Sequence, residues 1–364
     1  MESILERAEG GDPLSRAEVV HLLSIHGEEE QDALFAAARR VRVRNTGNKV
    51  FLYGFVYMST YCRNDCHFCF YRKSNTESLR YRKNRARIVE AARTLADSNV
   101  HLIDLTMGED PAYFDGGGFR ELAETAASVR EATDLPVMIS PGVVDEGVLA
   151  ILKEAGASWY ACYQETHNRP LFETIRPGQD FDARLEGKRV ARRLGLLTEE
   201  GILSGVGESS ADVAESLMNM REMETDQVRV MSFVPQTGTP LSDRPPGKVG
   251  EEVKIMAIMR LLFPDRLIPA SLDVAGLGGL KARLQAGANV VTSLVPPGEG
   301  YAGVAQSSLD IDEARRTVAS VDPVLRECGL AAATQTEYRR WVDQRMTRIV
   351  EGKAPGESAP RGLA

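Results

Sequence analysis

Long apolar runs are missing from this 364-residue chain, and no stretch approaches the roughly 18 apolar residues of a membrane span. The opening "MESILERAEGGDPLSRAEVV" is charged throughout and lacks the basic and apolar regions of a secretory leader. Both absences lead to the expectation of a cytoplasmic protein with no membrane contact. Cysteine is scarce, five in all, too few in a reducing compartment for a disulfide framework. An excess of positive charge is absent too: 44 Lys and Arg stand against 52 Asp and Glu, which speaks against nucleic acid as a partner. The one dense basic stretch, "RKSNTESLRYRKNRAR", reads as a solvated loop or helix face. No Gly-x-Gly-x-x-Gly turn opens a helix after the first strand, so a dinucleotide fold is disfavoured.

What is present is an alternation. Eight β-rich runs, at 49–60, 101–110, 136–142, 159–166, 201–208, 227–236, 266–273 and 289–297, are separated by amphipathic helical patterns. Glycines in "KEAGA" and "LQAGA" fit helix ends that turn back into strands. This pattern predicts an α/β fold, a (β/α)8 TIM-type barrel over 46–300. A helical N-terminal extension over 1–45, a C-terminal helical segment over 301–351 and a loose tail over 352–364 complete the expected organisation. In such a barrel, functional side chains gather at the C-terminal ends of the strands.

Three cysteines, Cys62, Cys66 and Cys69, follow the first run in "STYCRNDCHFC", spaced C-x3-C-x2-C. Structural zinc needs four closed ligands; His67 is too close to its neighbours, and Cys162 and Cys328 are far apart and read as small buried hydrophobes. A [4Fe–4S] cluster normally takes four cysteines, so three leave one iron open for chemistry. This spacing resembles that of the radical S-adenosylmethionine (SAM) enzymes. The resemblance implies a [4Fe–4S] cluster whose open iron is chelated by SAM, and a 5′-deoxyadenosyl radical on reduction.

The segments "VYMSTYCRNDCHFCFY", "LIDLTMGEDPAYF", "VMISPGV", "YQETHN", "GILSGVG", "VRVMSFVPQTGTPL", "RLIPASLD" and "AGANVVTS" together resemble the methylornithine synthase family, over about residues 40 to 300. That resemblance implies isomerisation of L-lysine to (3R)-3-methyl-D-ornithine in pyrrolysine biosynthesis, by hydrogen abstraction, fragmentation and recombination. It also implies a small electron donor such as flavodoxin or ferredoxin. A hydrogenase-maturase-like enzyme with another small substrate is the alternative; sulfur insertion of the biotin synthase kind is disfavoured because the two spare cysteines are unclustered.

Lysine carries two ammonium groups and one carboxylate, and a dry cavity must match them. Asp104 and Thr106 share one face of a run, and Ser271 and Asp273 share another by the same period of two. Arg229 sits between apolar residues, an odd place unless its fork meets a carboxylate. By the resemblance, Asp104, Arg229, Ser271 and Asp273 bind substrate; Thr106, a β-branched residue, reads as filling a layer of the barrel. The resemblance likewise assigns Gly108, Glu109, Ser140, Glu165, Arg184 and the backbone around Phe68 to SAM. The other four basic residues of "FDARLEGKRVARR" are expected in solvent. His167 reads as a loop-edge, solvated histidine without a role.

Overall fold

The computed structural model describes residues 1–297 and 315–351. Eight parallel strands form the frame: β1 (Lys49–Ser59), β2 (Leu102–Met107), β3 (Val137–Ile139), β4 (Ala157–Ala161), β5 (Leu197–Ser204), β6 (Gln227–Ser232), β7 (Pro269–Ser271) and β8 (Val290–Leu294). They pair in the order β6-β5-β4-β3-β2-β1-β8-β7, and β6 meets β7 through one bridge between Gln227 and Leu267. The result is a nearly closed TIM-type barrel. A short ninth strand, Ala331–Ala332, pairs with the start of β1.

Alternation along β1 divides inside from outside. Phe51, Tyr53, Phe55 and Tyr57 fill the barrel, whereas Val50, Leu52, Val56 and Met58 face the helical layer. The β1–β2 register sets Asp104 opposite Phe55 and Thr106 opposite Tyr57.

The N-terminal helices α1 (Glu2–Gly10), α2 (Arg16–Leu23) and α3 (Glu28–Thr46) pack over helix Val249–Leu262. That helix is therefore buried from Glu252 to Leu262 on every side rather than along one stripe. Ser15 and Glu18 close a reciprocal capping box that fixes the start of α2.

Helix Gln335–Glu351 stoppers the N-terminal end of the barrel. Tyr338, Trp341 and Val342 join the interior cluster of β1, β4 and β5; Trp341 stacks on Trp159 at 5.9 Å between centroids, and Tyr338 shares a hydrogen bond of 2.8 Å with Tyr53. Arg345 anchors the helix on buried Asp226 at 2.6 Å. Each fully buried aromatic contributes about 1.5–3 kcal/mol.

Most strands are shorter than or offset from their expected runs, and two of these differences bear on the site. β5 begins at Leu197 and so includes Glu199 and Glu200, and β7 ends at Ser271, leaving Asp273 in a turn beyond it. Among the described residues, no helix is long and apolar enough to cross a membrane. The expected tail over 352–364, and residues 298–314 at the end of the barrel and the start of the C-terminal segment, lie outside the described residues.

Candidate active site

The loop after β1 is bound tightly to the barrel rim. Arg63 N donates to Glu109 O at 2.8 Å, and His67 N donates to Ile175 O at 2.9 Å. Gly108 is required here: a Cβ on it would lie 2.5 Å from Tyr61 O and 2.9 Å from Cys62 Cβ. The basic stretch is a solvated face only in part: Lys73, Arg82 and Arg87 are exposed, but other contacts turn inward. Arg80 donates to the carbonyls of Tyr71, Arg72 and Asn75, Arg82 forks onto buried Asp110 at 2.5 and 2.6 Å, and Lys83 is buried. Arg80 thus ties the chain just after the cysteines, and Arg82 ties the turn after β2.

Cys62, Cys66 and Cys69 line one cavity at the C-terminal ends of the strands, beside Phe68. Its enclosed volume is about 200 Å³, and it opens through a wide mouth. Among the described residues, no three Cys, His, Asp or Glu side chains converge on a point that would hold a single metal ion. Three thiols that line one chamber are the donor set of an iron–sulfur cluster with one iron left open. Burial pushes the Cys62 thiol up to about 11 and raises Cys69 further, with neighbouring Cys66 and Cys62 adding to the latter. Loading iron therefore expels protons from these thiols. Two side chains already donate to Cys66 Sγ, Gln179 Nε2 at 3.0 Å and Arg176 Nη1 at 3.5 Å.

The residues expected at SAM stand around these thiols. Glu109 accepts from Arg63 Nε at 3.0 Å and from buried Arg184 Nη2 at 2.9 Å. Gly142, at φ +84°, leaves the space that the Glu109 carboxylate fills. Glu165 adopts φ +67°, rare for a residue with a side chain, and its Oε1 receives Arg176 Nη2 at 2.7 Å. Burial raises the Glu165 carboxyl above its ordinary value, and Arg176 opposes that rise. Ser140 lines the same wall.

Asp104, Arg229 and Asp273 also line the cavity, and so does Thr106, expected only to fill a layer. Ser271 is not among the lining residues. Its hydroxyl accepts from Asp273 N at 3.2 Å and meets Ser293 Oγ at 3.3 Å, so it braces the turn. Arg229 is not free for a ligand on every side. Its Nε meets Glu199 Oε1 at 2.7 Å and its Nη1 meets Thr292 at 3.2 Å, while Tyr163 donates to the other Glu199 oxygen at 2.9 Å. Arg229 Nη2 and Asp104 Oδ1 are buried with no hydrogen-bond partner among the described residues. Burial raises the Asp104 carboxyl well above its ordinary value, Glu199 adds to the rise, and Arg229 opposes it.

Asp273 accepts from Tyr57 at 2.9 Å, from Ser293 at 2.8 Å and from Arg316 at 2.7 Å. Ser293 holds φ +67° to do so. Sequence reasoning missed Glu199, Arg316 and Tyr57. The charged set, Asp104, Glu199 and Asp273 with Arg229 and Arg316, is formally −1.

Two further expectations fail. His167 is buried rather than solvated, with its Nε2 3.8 Å from buried Glu200. Lys188, in the supposedly solvated basic helix, is buried and paired with the same Glu200. Cys162 is buried as expected yet lines the cavity, its sulfur accepting from Arg184 Nη1 at 3.1 Å.

The pattern of the radical SAM superfamily matches residues 56–219. The chain is 43% identical over 337 residues to 3-methylornithine synthase of Methanosarcina acetivorans, covering 93% of this chain and 94% of that protein. It belongs to the 3-methylornithine synthase family. The crystal structure of methylornithine synthase (PylB) superposes with a TM-score of 0.88 at 41% identity, over 93% of this chain and 99% of that one. The [FeFe] hydrogenase maturase subunit HydE of Thermotoga maritima is more distant, 30% identical over 79% of this chain and 82% of its own length. Membership makes this chain a radical SAM enzyme that uses a [4Fe–4S] cluster and SAM. The three thiols fit that cofactor.

Proposed function

We propose that this enzyme isomerises L-lysine to (3R)-3-methyl-D-ornithine, the first step of pyrrolysine biosynthesis. The carrying observation is a pair of buried, unpartnered polar atoms of opposite character, Asp104 Oδ1 and Arg229 Nη2, in the same cavity as the three thiols. Leaving such atoms unmet costs about 1–3 kcal/mol each, so a zwitterionic ligand that meets both is favoured.

In this reading Cys62, Cys66 and Cys69 hold the cluster; Phe68, Gly108, Glu109, Ser140, Glu165 and Arg184 hold SAM; and Asp104, Arg229 and Asp273 hold lysine, with Ser271 bracing Asp273. When bound, the cluster and SAM supply a hydrogen-abstracting radical. The chain's own work is retention. The site's formal −1 charge offsets lysine's +1, and Phe55, Tyr57 and Tyr163 wall the chamber against water. No atom leaves the substrate, so both fragments must stay where their charged groups are held until the new bond forms. The enzyme works in the cytoplasm, with a flavodoxin or ferredoxin as electron donor and no nucleic-acid partner.

The test is anaerobic reconstitution to about four irons per chain, followed by incubation with lysine, SAM and reductant and chiral chromatography of the products. Methylornithine is expected. Its absence from fully loaded enzyme would overturn the assignment.

A further inference from the structure

Residues Arg176 to Gln179, "RPGQ", make a tight turn between helices Arg169–Ile175 and Phe181–Arg193. Gln179 N donates to Arg176 O at 3.2 Å, Pro177 follows the first residue and Gly178 takes φ +73°, the requirements of a type II turn. The turn sets the side chains of its two ends beside the cysteine loop.

The amide of Gln179 is oriented by its neighbours. Its oxygen accepts from two guanidiniums, Arg176 Nη1 at 3.2 Å and Arg184 Nη2 at 2.6 Å. A carbonyl oxygen held by two cations fixes which end of the amide is the NH2 group, because the opposite flip would aim N–H groups at N–H groups. The NH2 group is thereby pointed at Cys66 Sγ, 3.0 Å away.

We propose that Gln179 sets the reduction potential of the cluster by donating a hydrogen bond to Cys66. This rests on the reading of Cys66 as a cluster ligand. A donor to a ligating sulfur disperses the negative charge that the cluster gains on reduction, and so raises the potential. Arg176 donates to the same sulfur over 3.5 Å, a longer contact, and is also committed to Glu165. Gln179 gives the shorter bond. It also touches Arg184, which reaches Glu109, so one amide links the cysteine sulfur to the side chains proposed for SAM. Gln179 is a positioning and tuning residue rather than a catalytic one.

The experiment is a redox titration of the reconstituted cluster followed by electron paramagnetic resonance, on wild type, Gln179→Met and Gln179→Glu. Met matches Gln in length and shape without an N–H; Glu keeps oxygen for the two guanidiniums but replaces the donor with an acceptor. Iron and labile sulfide are counted first. If the wild type assembles no cluster, the ligand reading itself fails. With wild-type iron content, Gln179→Met is expected to move the midpoint to lower potential, and Gln179→Glu further in the same direction. An unchanged midpoint in loaded Gln179→Met would overturn the proposal. Should that variant load no iron, Gln179→Glu decides: a lower midpoint supports the assignment and an unchanged one rejects it.

Discussion

Arg316 Nη1 lies 2.7 Å from Asp273 Oδ1, and this buried pair joins positions 43 residues apart in the chain. Arg316 belongs to no barrel strand, yet its guanidinium reaches the turn after β7. An aspartate proposed to meet substrate is therefore paired with a residue far along the chain.

Removing one partner of such a pair strands the other. Arg316→Met is expected to lower stability by about 3–5 kcal/mol and to reduce lysine turnover. In the double variant Asp273→Asn with Arg316→Met, most of the stability returns while turnover does not. Urea unfolding of the four proteins in the cycle checks this, and a double variant no more stable than Arg316→Met would contradict it.

Asp104 should trade stability for binding. With its carboxyl raised by burial and by Glu199, the folded protein holds a proton that the unfolded chain already releases as pH rises. Sign follows from the direction: the folded protein keeps this proton above the ordinary carboxylate range, so its contribution to stability is lost as pH climbs through the raised value. Asp104→Asn is expected to melt no lower than wild type at neutral pH, with a gain of up to about 1–3 kcal/mol, and to lose lysine binding while loading iron normally. Calorimetric titration with lysine and thermal melts read the two effects separately.

His167 should make the enzyme acid-sensitive. Burial pushes its imidazole down to about 4, Glu200 resists and Lys188 reinforces the drop. Between the ordinary value near 6.5 and about 4, the unfolded chain takes up a proton that the folded one refuses, so stability falls as pH falls across that window. The full loss is on the order of 3 kcal/mol. His167→Gln should flatten this slope; melts between pH 7.5 and 4.5 that remain parallel to wild type would refute it.

Gly108→Ala tests the seat of the cysteine loop. The new methyl group meets the backbone of Tyr61 and the Cβ of Cys62, neither of which can rotate away. The expected result is low iron content after reconstitution and a stability cost of about 1–3 kcal/mol. Wild-type iron loading would show that the loop seats elsewhere.

The barrel was legible because each strand is an apolar run closed by a polar turn, and the cysteine spacing is local. Arg229 declared itself by standing among valines, since a charge there needs a partner. Its partner Glu199 was hidden because "LTEE" reads as a polar lead-in to a strand. In the fold those glutamates alternate, one facing Arg229 inside the barrel and the other facing Lys188 and His167 in the helical layer. Charge opposite charge across a sheet leaves no mark in a hydropathy pattern. Arg316 carried no local signal at all, because only closure of the chain brings it to Asp273.

The stopper formed by helix Gln335–Glu351 also governs traffic. Among the described residues, a vessel plugged at its base by Tyr338 and Trp341 opens at the rim where Gly108 and the cysteines stand. Asp104 and Arg229 are mid-strand, below that rim. On the proposed assignments, the amino acid boards first and disembarks last, and the nucleoside acts as its lid. Lysine should therefore protect SAM sites from nothing, whereas bound SAM should slow lysine's departure.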